Sequence, residues 1–230
     1  MAIDSQSAHA RPSSVDCGIL IRGSESRRGR LSESVGGVIL AGGQNSRMGG
    51  ADKAFLTVDG QIVLQRTLNL LRCCFPQVVV ISNRPDKYAC FDVEVATDVF
   101  PGQGPLAGIH AALGILRLPY AFVVACDMPF LRVEPIAFLT QRLTEQEAVI
   151  PCWEGDIEPL HAIYAVALRS RMGDALQRGV HGIRQFLPGV RAEYVPEHVM
   201  RTVSGTDESF RNVNTPEEAA RFAVHVESEL

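Results

Sequence analysis

Short, unbroken apolar runs recur along the chain, and they limit the fold more than any other feature. GVILA (37–41), QVVVIS (77–82), VEVAT (93–97) and AFVVACD (121–127) come first, and EAVIPC (147–152) and LHAIYAV (160–166) continue the series. Runs this short suit strands, and runs this continuous suit strands covered on both faces. Between them, apolar residues recur at helical spacing: Leu64, Leu68, Leu71 and Phe75, then Leu106, Ile109, Leu113 and Leu116. Further helices are predicted near 134–144, 167–178 and 182–187. NTPEEAARFAVHVE reads as a last helix, with Thr215 as N-cap, Pro216 at the first position and Glu218 closing a capping box. Alternating strands and helices predict an α/β fold with a mainly parallel sheet wrapped on both faces.

Residues 1–34 break the rhythm. They hold eight serines and five arginines, and only CGIL is apolar. Such a segment buries too little surface to offset its ordering entropy, so a disordered extension or an upstream start codon is expected for 1–34, with one domain over 35–230. The Ser and Arg content suggests a transit peptide, but Asp4, Asp16, Glu25 and Glu33 argue against one. The longest apolar run, YAFVVAC (120–126), is strand-sized, so no membrane segment is expected. Six cysteines without zinc-type spacing suit reduced thiols and a cytoplasmic protein. A net charge of −4 gives no reason to expect nucleic acid, and an anionic ligand would need a local basic site.

In open parallel sheets the ligand sits beyond the carboxyl ends of the strands. After the first run comes AGGQNSRMGGADK (41–53). Its glycines let backbone N–H groups approach phosphate oxygens; Arg47 offers a fork of donors and Lys53 a point charge. No GxxxxGK[ST] occurs, which disfavours P-loop NTPases. Asn83 follows the second run and offers a donor and an acceptor to a base or ribose. Asp98 follows the third, ahead of PGQGPLAG (101–108). There Gly102, Gly104 and Ala107 match GxGxxA, but outside the first βαβ unit and with Pro105 inside, so a tight turn feeding a helix is expected. Asp127, in CDMPFL, ends the fourth run. A carboxylate opposite a basic phosphate loop suits Mg²⁺ shared with phosphate oxygens. The bland alternative is an N-cap, which Pro129 weakens. A cationic loop and a carboxylate converging on one site suggest Mg²⁺-assisted chemistry on a nucleotide phosphate.

LAGGQNSRMGGADKAFL, GPLAGI, CDMPFL, EPLHAIY and NVNTPEE occur in this order over 35–225. Together they resemble the molybdenum cofactor guanylyltransferases, the MobA family of nucleotidyltransferases. The resemblance implies a Rossmann-like three-layer α/β fold. It also implies a reaction in which GTP and Mo-molybdopterin give molybdopterin guanine dinucleotide and pyrophosphate, with Mg²⁺. By that resemblance Leu40, Ala41, Gly42 and Gly43 contact the nucleotide, and Arg47 and Lys53 face phosphates. Asn83 and Asp98 belong to the nucleotide site, Asp127 is the Mg²⁺ ligand, and Asn212 and Asn214 fall in the late active-site motif near the pterin. Some members place the strand-end Asn where this chain has Ile81. LAGG suggests GTP rather than CTP. Transient contact with molybdenum-insertion or molybdoenzyme partners would follow.

Other residues carry weaker signals. His161 and His110 read more naturally as packed histidines than as ligands. Trp153 suits either a cover for the pterin ring or loop packing. Arg184 and Arg191 suit contact with the pterin phosphate. The competing functions are a cytidylyl or sugar-phosphate nucleotidyltransferase, a non-catalytic nucleotide-binding protein and, last, a Rossmann dehydrogenase.

Overall fold

The computed structural model describes residues 30–41, 53–213 and Glu218. Gly42, Gly43, Arg47, Asn214 and the capping box at Thr215 and Pro216 lie outside the described residues.

The apolar runs form strands. In chain order the elements are β1 (Val35–Leu40), β2 (Thr57–Val58), β3 (Gln61–Ile62), α1 (Val63–Cys74), β4 (Val78–Ile81) and β5 (Glu94–Ala96). Then come α2 (Pro105–Ile115), β6 (Tyr120–Ala125), α3 (Val133–Gln141), β7 (Ala148–Trp153), β8 (Asp156–Ile157) and β9 (His161–Ala165). α4 (Arg169–Gln177), α5 (Ile183–Phe186), β10 (Ala192–Val195), α6 (Glu197–Met200) and α7 (Thr206–Ser209) follow. The main sheet has the order β10-β7-β9-β6-β1-β4-β5, with β8 paired to β7 and β2–β3 as a separate ribbon.

Both faces of this sheet are covered, which is why its strands are apolar without alternation. On one face Ile39, Phe122 and Ile163 meet Leu64, Leu68 and Leu71 of α1 and Ile136 and Leu139 of α3. On the other, Val38, Val79 and Val123 meet Leu106, Ile109 and Leu113 of α2 and Leu168 and Met172 at and within the α4 side. Each such buried aliphatic side chain contributes about 1.5–3 kcal/mol relative to an exposed one. α2 is apolar on every side because it lies between the sheet and α4. Residues just ahead of β1 also join the fold: the Leu31 N–H donates to Cys74 O (2.9 Å) and the Tyr120 N–H to Ser34 O (3.2 Å).

β1 pairs in parallel with β4 and β6, β4 with β5, and β7 with β10. β9 runs antiparallel to both neighbours, β6 and β7. Chain length explains the reversal. Only residues 154–160 join β7 to β9, whereas a parallel crossover needs about a dozen or more residues. The turn is made by Glu154 (φ 50°) and Gly155 (φ 79°), with β8 returning along β7. The start of β9 therefore lies at the same edge as the end of β6.

Gly37 shows how tightly this layer is built. A Cβ there would sit 3.2 Å from Leu71 Cβ and 3.3 Å from Phe75 Cδ2, both on fully buried side chains. Gly37→Val is expected to cost about 1–3 kcal/mol of unfolding free energy with an unchanged urea m-value. Wild-type stability in that variant would show that α1 sits less closely on β1 than described.

Candidate active site

The strand ends are level. The Ala41 N–H donates to Ile81 O (2.9 Å) and the Cys126 N–H to Leu40 O (3.2 Å), which sets the exits of β1, β4 and β6 side by side. Leu40 and Ala41, both buried, close the sheet there, and the chain is described again from Lys53. Lys53 opens a one-turn 3-10 helix, Lys53–Phe55; its side chain lies outside the described atoms.

Beside them, the Ser82 N–H donates to Ala96 O (2.9 Å). The Asn83 carboxamide oxygen accepts the Asp98 N–H (3.1 Å), and Asp98 Oδ1 accepts the Phe100 N–H (2.8 Å). Asn83 and Asp98 are thus one hydrogen-bonded unit bridging the β4 and β5 exits. Burial lifts the Asp98 carboxyl above its usual range, and the Phe100 N–H and His110 only partly oppose it. Gly104 (φ 79°) is the N-cap residue of α2, so PGQGP is the expected tight turn feeding a helix. The turn abuts the loop before α5: a Cβ on Gly104 would lie 3.4 Å from His181 O.

Asp127 stands two residues beyond β6, half-buried. It is not a helix N-cap, because α3 starts at Val133 with Arg132 in that position. Its backbone carbonyl accepts the Val213 N–H (2.8 Å), so the late NVN motif returns to this carboxylate, with Asn212 exposed beside it. Sequence reasoning missed Glu158, at the start of EPLHAIY. The Ala125 N–H donates to Leu160 O (3.2 Å) and the Glu158 N–H to Pro151 O (2.8 Å), which bring Glu158 to the Asp127 edge. Burial raises the Glu158 carboxyl, as do Asp156, Glu154 and Asp127, while Arg184 opposes the rise. The available signal was the short 154–160 connection, which forces β9 to begin where β6 ends.

Among the described residues no group of three or more His, Cys, Asp or Glu could encircle a metal. Asp127 and the nearby Glu158 carry the hard carboxylate oxygens that suit a cation such as Mg²⁺.

The remaining candidates separate. Arg184 pairs with Asp156 and donates to Ile157 O (3.2 Å), so it stands at the same edge as Glu158. Arg191 does not: it precedes β10, which runs parallel to β7, and faces Glu147 (3.8 Å) at the opposite end of the sheet. Strand direction therefore sets Arg191 apart from the edge that carries Asp127 and Glu158. Trp153 is 6% exposed, stacks on Phe210 (5.0 Å, 23°) and carries the Arg201 guanidinium at 4.3 Å. The ring is loop packing and leaves no face for a pterin. His110 is buried against Phe100 (5.3 Å) and α4, and burial depresses its pKa.

His161 is wholly buried against Phe122 and Phe210, and among the described residues neither ring nitrogen has a hydrogen-bond partner. It is packed in the core.

A three-layer α/β sheet that gathers Leu40–Ala41, the Asn83–Asp98 unit, Asp127 and Glu158 at its carboxyl edge has the arrangement of nucleotide-handling α/β enzymes. Residues 37–202 match the MobA-like NTP transferase domain. Relatives include the molybdenum cofactor guanylyltransferase of Desulfosudis oleivorans, 34% identical over 81% of this chain and 93% of its own. That of Syntrophotalea carbinolica is 35% identical over 80% and 89%. The crystal structure of molybdopterin-guanine dinucleotide biosynthesis protein A from Archaeoglobus fulgidus superposes with a TM-score of 0.71 at 27% identity, covering 85% of this chain and all of that one. The chain belongs to the MobA-like NTP transferase family and is a nucleotidyltransferase. The mostly parallel three-layer fold read from the strand rhythm is the fold of that family.

Burial holds the His161 imidazole neutral, with its pKa lowered to about 3 from 6.5. A depressed pKa means that the unfolded chain takes the proton first. The contribution is complete above pH 6.5 and is lost as pH falls toward 3, with a slope approaching ~1.4 kcal/mol per pH unit. His161→Leu is expected to flatten the loss of urea stability between pH 6.5 and 4.5. Identical slopes in both proteins would contradict a neutral, buried His161.

Proposed function

We propose that the protein transfers GMP from GTP to the terminal phosphate of Mo-molybdopterin, giving molybdopterin guanine dinucleotide and pyrophosphate. One observation carries this reading: Leu40–Ala41, the Asn83–Asp98 unit, Asp127 and Glu158 meet at one sheet edge. Relatives at 34–35% identity named molybdenum cofactor guanylyltransferase support guanylyl transfer onto the molybdenum cofactor.

In this reading the nucleotide lies across the β1 and β4 exits. Ala41, Gly42 and Gly43 offer backbone to the base, and Gly43 leaves room for a purine edge. Asn83 already uses its oxygen on Asp98, which leaves its amide N–H₂ for the ligand. Asp98 uses Oδ1 on Phe100, which leaves Oδ2 to accept from ribose or base. Lys53 and Arg47 would hold the phosphates, and Asp127 would hold the metal. A bound Mg²⁺ would supply neutralising charge to the phosphates. A pterin phosphate oxygen attacks the α-phosphorus, the bond to pyrophosphate breaks, and the fixed cations stabilise the charge that leaves. With the nucleotide on the β1–β4 side, the acceptor enters from the β6–β9 side, past Glu158, Arg184 and Asn212. Asn214, in the same motif, is assigned to this side.

Asp127→Ala is expected to abolish pyrophosphate release from GTP and Mo-molybdopterin while leaving the circular dichroism spectrum unchanged, since the Asp127 contact to Val213 is made by backbone. Lys53→Ala is expected to lower turnover by ~10²-fold or more, as loss of a charge-stabilising donor does. Calorimetry with Mg²⁺ should show tighter binding of GTP than CTP. The opposite order would convert the reading to a cytidylyltransferase, and turnover by Asp127→Ala would remove that carboxylate from the chemistry.

A further inference from the structure

Tyr88 lies in a 3-10 segment, Pro85–Phe91, that follows Asn83 and carries no motif of its own. Its side chain is fully buried. The hydroxyl donates to the carbonyl of Ala41 (3.1 Å), a residue 47 positions earlier in the chain. Ala41 is where the chain leaves β1, and its own N–H is bound to Ile81 O (2.9 Å). The phenol thus fixes the second backbone group of the residue from which the glycine-rich segment departs.

The same ring meets the other end of that segment. Phe55 lies 5.5 Å from Tyr88, ring to ring, and 5.9 Å from Phe91. Phe55 shares its single 3-10 turn with Lys53 and with the fully buried Ala54. In a turn of three residues, anchoring Ala54 and Phe55 leaves the backbone of Lys53 little freedom. One aromatic side chain therefore touches both the exit from β1 and the turn that bears the lysine.

We infer that Tyr88 is a positioning residue for nucleotidyl transfer: its hydroxyl and ring set the distance between the Ala41 backbone and Lys53. The inference rests on the assignment of Ala41 and Lys53 to the nucleotide. The hydroxyl holds the loop entry in register with the strand ends, and the ring holds the loop exit against it. Tyr88 touches no substrate; it acts through the groups that do.

The test is a double-mutant cycle of Tyr88→Phe and Lys53→Ala, read by kcat and by KM for GTP and for Mo-molybdopterin, alongside thermal melts. Tyr88→Phe keeps the ring on Phe55 and removes only the hydroxyl. Loss of one hydrogen bond of ordinary strength predicts about a 3- to 10-fold fall in kcat/KM for GTP, with KM for the acceptor unchanged. That fall should shrink toward nothing in the Lys53→Ala background, because coupled residues are non-additive. Phe55→Leu, which loosens the other contact of the ring, should shift the GTP parameters in the same direction. A Tyr88→Phe protein that melts lower but keeps wild-type kcat/KM for GTP would overturn the inference and leave a structural tyrosine. Full additivity with Lys53→Ala would overturn it as well. If Lys53→Ala itself turns over normally, the phosphate assignment of Lys53 fails, and the positioning role falls with it.

Discussion

The bond from the Cys126 N–H to Leu40 O, with its companion from Ala41 to Ile81 O, is the interaction on which the site depends. These bonds end β1, β4 and β6 at one level, so whatever follows each strand meets at one edge. The register beneath them is continuous, with Leu40 opposite both Ile81 and Ala125. A slip of one residue would turn Ile39 and Leu40 to the wrong faces and separate Ala41 from Cys126. The two packed faces prevent the slip. Core packing and site geometry are one constraint seen from the interior and from the edge.

A second constraint completes the edge. Because β9 reverses between β6 and β7, residues that precede a strand join residues that follow one. That is how Glu158 comes to stand beside Asp127, and how Arg184 reaches the same end through Asp156 and Ile157. The chain then crosses the edge once more. Trp153, Phe210 and Arg201 pack the returning segment down, and Val213 ties it to the Asp127 carbonyl. The aromatic stack belongs to the scaffold that delivers the NVN motif.

Much of this was legible in the sequence, for physical reasons that can be named. Unbroken β-branched runs such as QVVVIS announce strands covered on both faces, and Asp98 and Asp127 could be placed because they directly follow such runs. What stayed hidden depended on contacts remote in sequence. Strand direction put Arg191 at the far end of the sheet although it lies only seven residues from Arg184. The role of Trp153 was decided by a ring 57 residues later, Phe210. Tyr88 carries no local signal at all, since its meaning lies in a carbonyl 47 residues before it. Glu158 was readable in principle, from a connection too short to cross over.

The central claim is that this edge joins a guanine nucleotide to a pterin phosphate. Mass spectrometry of the product formed from GTP, Mo-molybdopterin and Mg²⁺ tests it most directly, with CTP as the parallel substrate. The account predicts a guanine dinucleotide of molybdopterin and an equal amount of pyrophosphate, with little product from CTP. A cytosine dinucleotide as the main product, or pyrophosphate release without any pterin adduct, would contradict it.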